Sequence, residues 1–204
     1  MQVLLDSDPC EIKVQTIGEA IAAAATLAQT RGRLIIDVIV DGLRLSEQQL
    51  DSAEQNDSTA ETVEFITAEP KELVLQTFED AADALSDADA LQKEAAELLQ
   101  SDQSIICMDK LAEALSIWLT VQQAIVKGSQ VVELQLDSIS VKKVPITESI
   151  ARLNENLQLL RSALQQDDQV AVADALLYEF PDIINEWRTI LEHLQSLVER
   201  EMTG

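Results

Sequence analysis

Histidine occurs once in this 204-residue chain, cysteine twice, proline four times and glycine five times, and the aromatic set is three Phe, two Trp and one Tyr. Each scarcity closes off some chemistry. With His193 alone, any Ser-His-Asp or Cys-His arrangement has to run through that residue, and no G-x-S-x-G nucleophile motif accompanies it. No second His or Cys stands at metal spacing from it, and its place between Leu191 and Leu194 reads as a solvent-facing helix position. Gly18, Gly32, Gly42, Gly128 and Gly204 are scattered, so none forms a phosphate-cradling loop and nucleotide binding of the P-loop or Rossmann kind is excluded. Cys10 and Cys107, far apart and without metal-type spacing, read as reduced thiols. The start, Met1-Gln2-Val3-Leu4-Leu5-Asp6, has no basic segment leading into a long apolar run. Nowhere does the chain approach the ~20 apolar residues of a membrane span; the alanine-rich run Ala20–Ala25 is short and soon interrupted. The expected location is cytoplasmic.

Positive charge is scarce too. Lys and Arg number 14 against 37 Asp and Glu, for a net charge of −23. A field of that sign repels phosphate backbones and anionic headgroups, so nucleic acid and membrane surfaces are not expected partners. The only adjacent basic pair, Lys142–Lys143, is too small for an electrostatic footprint. The acidity reads either as solubility in a salty cytoplasm or as a surface that receives basic or aggregation-prone clients.

What is plentiful is Ala, Leu, Gln, Glu and Asp, in a chain 47% apolar overall. That supplies a core and favours helices, because Ala, Leu, Gln and Glu lose little side-chain freedom on entering one. The first 68 residues mix two periodicities. Gln2–Leu5 is strand-like, Asp6-Ser7-Asp8-Pro9 reads as a turn, and Glu11–Val14 alternates again. Thr16 is placed to cap a helix over Ile17–Thr30, with Gly32 just past its end. Arg33–Val40 is rich in Val and Ile and meets Asp41-Gly42, a tight-turn dipeptide, before Leu43–Leu45. A Ser-capped turn over Ser46–Leu50, an acidic loop over Asp51–Ala60 and a last strand, Thr62–Thr67, complete the region. The order strand, strand, helix, strand, turn, strand resembles that of ubiquitin-like β-grasp domains. Met1-Gln2-Val3, Arg33-Leu34-Ile35, Val40-Asp41-Gly42-Leu43-Arg44-Leu45 and Thr62-Val63-Glu64-Phe65 look like the counterparts there. The resemblance implies a β-grasp-like fold over 1–68 that serves in recognition. It does not carry conjugation chemistry, because the chain continues into helices where those domains end in Gly-Gly.

Glu69-Pro70 marks the expected boundary, Pro being favoured in a first helical turn and the acids suiting its positive end. Residues 69–204 read as an all-α antiparallel bundle of about four long helices, making the chain predominantly helical. Val74, Phe78, Ala81, Leu85, Ala88, Ala95 and Leu99 form the first stripe, with Gln92 as a polar interruption and Ser86-Asp87 as a place where the helix either continues or breaks. After a polar connector at Ser101–Ser104, Met108, Leu111, Leu115, Trp118 and Ile125 form the second stripe, running on toward Val132 through Gly128. Asp137–Val144 reads as a loop or short extended piece, and Pro145 opens a helix over about 145–166. Its seam is Ile146, Ile150, Leu153, Leu157, Leu160 and Leu164. A helix over about 168–202 follows, with Val170, Ala173, Leu177, Phe180, Ile184, Trp187, Leu191, Leu194 and Val198. Such regular spacing predicts coiled-coil-like packing, and the short connector at Asp167-Asp168 predicts an antiparallel hairpin. A seam this strict is also a candidate homodimer contact. Pro181, inside the last helix, should kink it or split it near Tyr178–Phe180.

No catalytic, cofactor or metal site emerges. Carboxylate pairs occur at Asp6/Asp8, Asp87/Asp89 and Asp167/Asp168. The set Glu179/Asp182/Glu186 lies on one helical stretch and is the best cation candidate, although di-iron bundles need Glu-x-x-His pairs that are lacking here. Trp118, Phe180 and Trp187 sit at seam positions, which reads as core. With Tyr178 and Pro181 they are also the candidate lining of a partner-binding groove at the kink. The function expected is a non-catalytic adaptor or scaffold with a protein partner. The alternative is a chaperone for a secreted or flagellar client, since the acidic helical part loosely resembles flagellar export chaperones in size, charge and hairpin pattern. A carboxylate-metal enzyme is the minor alternative.

Overall fold

Short β-branched runs broken by turn residues form a sheet in the first part of the chain, and heptad-patterned runs form helices in the second. The computed structural model describes residues 1–46, 48–50, 52, 58–100 and 104–203. The chain divides into two units, Met1–Leu73 and Val74–Gly204, each with its own apolar core. Together they make an α+β protein that is predominantly helical.

The first unit comprises β1 (Gln2–Leu5), β2 (Asp8–Cys10), α1 (Ile17–Thr30), β3 (Leu34–Val40), β4 (Leu43–Arg44) and β5 (Thr62–Ala68). The sheet order is β2-β1-β5-β3-β4, with β1 parallel to β5 and the other neighbours antiparallel. Alternation sends Val3, Leu5, Val38, Val63 and Phe65 to one face, where Ala20 and Ala24 of α1 let the helix lie close. Thr16 caps α1 in a reciprocal box with Glu19, as the sequence predicts. Asp41-Gly42 turns with both residues left-handed (φ 48° and 81°). The second strand differs from expectation: it is Asp8–Cys10, not Glu11–Val14. Asp6 and Ser7, at φ 52° and 67°, close the hairpin alone. Pro9 is tolerated because β2 is an edge, where the missing N–H breaks no ladder. Of the turn expected over Ser46–Leu50, the described residues show the Ser46 carbonyl accepting from the Gln49 and Leu50 amides. Most of the expected loop Asp51–Ala60 lies outside the described residues.

The second unit holds α2 (Pro70–Gln100), α3 (Ser104–Val131), a 3-10 turn (Leu136–Ser138), a small hairpin of β6 (Ser140–Val141) and β7 (Val144–Pro145), α4 (Ile146–Gln165), α5 (Gln169–Asp174), a π turn (Ala175–Glu179) and α6 (Phe180–Thr203). The break between the two units falls within the first turn of α2. The helix runs unbroken through Ser86-Asp87, because Leu85, Ala88, Gln92 and Ala95 keep one buried face. Gln92 is buried with neither amide atom hydrogen-bonded. The α2 and α3 helices run antiparallel, fixed by Lys110 on Glu94 at 3.0 Å at one end and Gly128 against Phe78 at the other. A Cβ at Gly128 would stand 2.7 Å from Phe78 Cε1, so this glycine permits close helix packing. The connector residues 101–103 lie outside the described residues.

The buried stripe of α3 is Cys107, Leu111, Ala114, Trp118, Val121 and Ile125, so Met108 and Leu115 fall one residue off the seam expected for them. Along α4 the expected seam holds, with Ile146, Leu153 and Leu160 fully buried and Ile150, Leu157 and Leu164 packed at its margin. The turn after α4 is a Schellman motif built on Asp167 at φ 56°, the Asp168 amide reaching the Ala163 carbonyl at 3.0 Å. The Asp168 side chain then caps α5 by accepting from the Ala171 amide.

Candidate partner-binding groove

From Phe180 onward the last helix buries Phe180, Ile184, Trp187, Leu191, Leu194 and Val198, as its heptad predicts. Upstream the phase slips by one residue. Val172 and Leu176 are the buried positions, whereas Val170 is exposed and Ala173 and Leu177 are only partly covered. The π turn explains the slip. Proline at 181 lacks the N–H that would bond the Leu177 carbonyl, and in α geometry its ring would press on that carbonyl. The chain widens instead, and the Phe180 amide reaches back five residues to the Ala175 carbonyl. One extra residue per turn lets Val172, Leu176, Phe180 and Ile184 share a face at spacings of four.

This geometry corrects the expected groove. Trp118, Phe180 and Trp187 do come together, but as core. Trp187 stands edge-on to Trp118 with centroids 5.6 Å apart, and Phe180 tilts against Trp118 at 6.2 Å. All three rings are essentially inaccessible, so they anchor the bundle and offer nothing to a partner. Seam positions put them there. Of the C-terminal heptad, the apolar side chains from Phe180 to Val198 are buried within the chain, whereas Val170 is exposed. Pro181 is half-buried, and only Tyr178, 68% exposed, faces solvent.

Tyr178 belongs to a different groove. Between α4 and the α5–π segment lies a depression of about 680 Å³, lined by Asn156, Leu159, Leu160, Ala163, Ala171, Asp174, Ala175, Tyr178 and Glu179. Leu160 and the three alanines, Ala163, Ala171 and Ala175, make a shallow apolar floor. Leu159, 67% exposed, and Tyr178 stand on its rims. Asp174 and Glu179 supply the only charges on the lining, both negative. Apolar residues off the heptad seam were the signal available in sequence: Leu159 beside the seam residue Leu160, and the single tyrosine one turn before Pro181.

The carboxylate set is not gathered. Glu179 and Asp182 point to solvent, whereas Glu186 is held by Arg152 and accepts from the Ser149 hydroxyl at 2.7 Å. Among the described residues no three His, Cys, Asp or Glu side chains cluster as a metal site would require. Cys10 and Cys107 are free thiols, and burial pushes the Cys107 thiol pKa up, which keeps it protonated. His193 is half-buried on the flank of α6. Among the described residues no helix is long and apolar enough to cross a membrane.

Residues 93–190 match a family described as a domain of unknown function (DUF8042). That is a little under half of the chain, running from Lys93, late in α2, to Ile190 in α6. The matched stretch takes in the aromatic cluster, the π turn and the whole groove, and omits the sheet. No curated protein and no solved structure matches the chain.

Proposed function

We propose that this protein is a non-catalytic, cytoplasmic protein-binding module, and that the groove between α4 and the α5–π segment receives an amphipathic helix of a basic partner. The observation that carries the reading is the groove's make-up: an apolar floor of small side chains, two exposed apolar rims and an acidic-only lining. Helix-in-groove recognition needs that combination, since apolar anchors enter the floor while Lys or Arg on the flanks meet the carboxylates. The chain's −23 charge speeds the encounter with such a partner and discourages acidic competitors. The order β2-β1-β5-β3-β4 with its parallel β1–β5 pair supports reading residues 1–68 as β-grasp-like. Its edges are poor docking strands, one carrying Pro9 and the other only two residues long, so the helical unit is assigned the binding role.

Affinity capture from an extract of the source cells with the intact chain and with Leu159→Asp/Tyr178→Asp tests this. Both side chains are exposed, so the variant keeps the wild-type helix content and melting temperature. The expected result is a retained protein with a basic amphipathic helix that the variant loses. Retention of the same set by both, or of nothing by the wild type, overturns the reading. A single secreted or flagellar protein in the retained fraction would make the module a chaperone for that client, and several soluble proteins would make it an adaptor.

A further inference from the structure

The buried stripe of α3 has a neighbour. One residue further round the helix, Met108, Ala112, Leu115, Leu119, Gln122 and Val126 repeat the same alternating spacing of four and three. This second stripe faces outward: Leu119 is 57% exposed, Met108 47% and Val126 42%, with Ala112 exposed and Leu115 and Gln122 half-buried. It runs for about 27 Å at 1.5 Å per residue. Within the chain the stripe is covered only in part: Leu115 packs against the core and Met108 borders a pocket with Ala163, Leu164 and Val172. Ala112, Leu119 and Val126 stay exposed, and a partner helix would cover them.

Charge narrows the choice of partner. Helix α3 carries Asp109, Lys110, Glu113 and Lys127 and so has no net charge, in a chain at −23. Helix α2 has eight acids against Lys71 and Lys93. Helix α4 is also neutral, but it lacks an exposed stripe. A second copy of so acidic a chain is repelled almost everywhere else and can approach along α3. The spacing is also symmetric about Ile117. Laid antiparallel on itself, α3 sets Met108 opposite the second copy's Val126, Ala112 opposite its Gln122, and Leu115 opposite its Leu119. A two-fold axis also places the Asp109 flank of one copy beside the Lys127 flank of the other, twice. Among the described residues neither Asp109 nor Lys127 takes part in an ion pair within the chain.

We propose that α3 is a dimerisation helix, packing antiparallel on α3 of a second copy through the Met108–Val126 stripe, with Asp109 of each copy paired to Lys127 of the other. The contact is isologous, leaves the α4–α5 groove out of the interface, and stands whether or not that groove binds a helix. Sedimentation of the full chain across a wide concentration range tests it. The mass should rise from 22.4 kDa toward twice that value with concentration, and Leu119→Glu should hold the chain at the monomer mass. Asp109→Lys sets like charges together twice and should weaken the association by roughly tenfold. Adding Lys127→Asp restores opposite charges and should recover it, an outcome that a folding defect or a parallel dimer would not give. A wild-type chain that stays monomeric, or a dimer unmoved by Leu119→Glu, overturns the proposal, as does failure of the double swap to recover what the single swap loses.

Discussion

At the scale of single residues, the first unit is tied together through Thr67. Its amide and hydroxyl donate to the Asp6 carboxylate at 2.7 and 2.5 Å, while Arg33 donates to the same hydroxyl at 2.6 Å and to the Thr67 carbonyl at 3.0 Å. The Thr67 hydroxyl holds the Asp6 carboxyl pKa below its ordinary 3.8 against the opposing cost of burial, with the Thr67 amide and the Arg33 charge adding smaller pulls downward. A depressed carboxylate contributes stability that is complete above its unfolded pKa and is lost as pH falls through the folded one. The stability gap between wild type and Asp6→Asn, measured by denaturant unfolding, should therefore be constant near neutrality and shrink below about pH 4. A gap that stays flat into acid would mean the charge contributes nothing. In the second unit, Gly128→Ala sets two effects against each other. Alanine gains about 1 kcal/mol in helix propensity, whereas overpacking against a fully buried ring costs about 1–3 kcal/mol. Because Phe78 is fully buried, the net result should be destabilising by up to about 2 kcal/mol. A variant more stable than wild type would show that the two helices can move apart freely.

At the scale of elements, the π turn decides how the last helix was legible. From Phe180 to Val198 every residue that the hydrophobic spacing picked is buried, with Ile183 and Ile190 buried beside them, because an unbroken α-helix turns each residue through the same angle. Before Phe180 the same extrapolation chose Ala173 and Leu177, one residue away from the true positions Val172 and Leu176. Hydrophobic spacing carries no mark for an inserted residue; Pro181 pointed to the disturbance but not to its form. Helix α3 misled for another reason. Two adjacent apolar stripes share it, so spacing could not choose between Cys107 and Met108, and the outward stripe took part of the inward one's place. The strands were found where β-branched residues alternate, and β2 was misplaced because an edge strand tolerates a proline that a central one would not. If the π turn absorbs Pro181, Pro181→Ala should stabilise the protein by well under the ~3 kcal/mol that an α-helical interior proline costs. A gain approaching that full amount in denaturant unfolding would mean the ring is strained where it stands.

At the scale of the whole molecule, the helical unit satisfies its strongest seam internally and leaves apolar surface uncovered, the α4–α5 groove and the outer stripe of α3 among it. Neither was visible as a site in the sequence. The seam rings Trp118, Phe180 and Trp187, read as core and also as candidate groove lining, are core, and the exposed apolar positions appeared as irregularities beside a regular pattern. In the proposed reading, the acidic surface favours a basic partner at the groove, because Asp174 and Glu179 are reinforced by the net charge around them. The account therefore rests on the groove being occupied, and a photo-crosslinking amino acid in place of Tyr178 reports that most directly. The account predicts that this chain crosslinks, in an extract of the source cells, to a basic helical segment of one or more proteins, while the same group at exposed Asp83 on α2 does not. Equal crosslinking from both positions, or none from Tyr178, would contradict it.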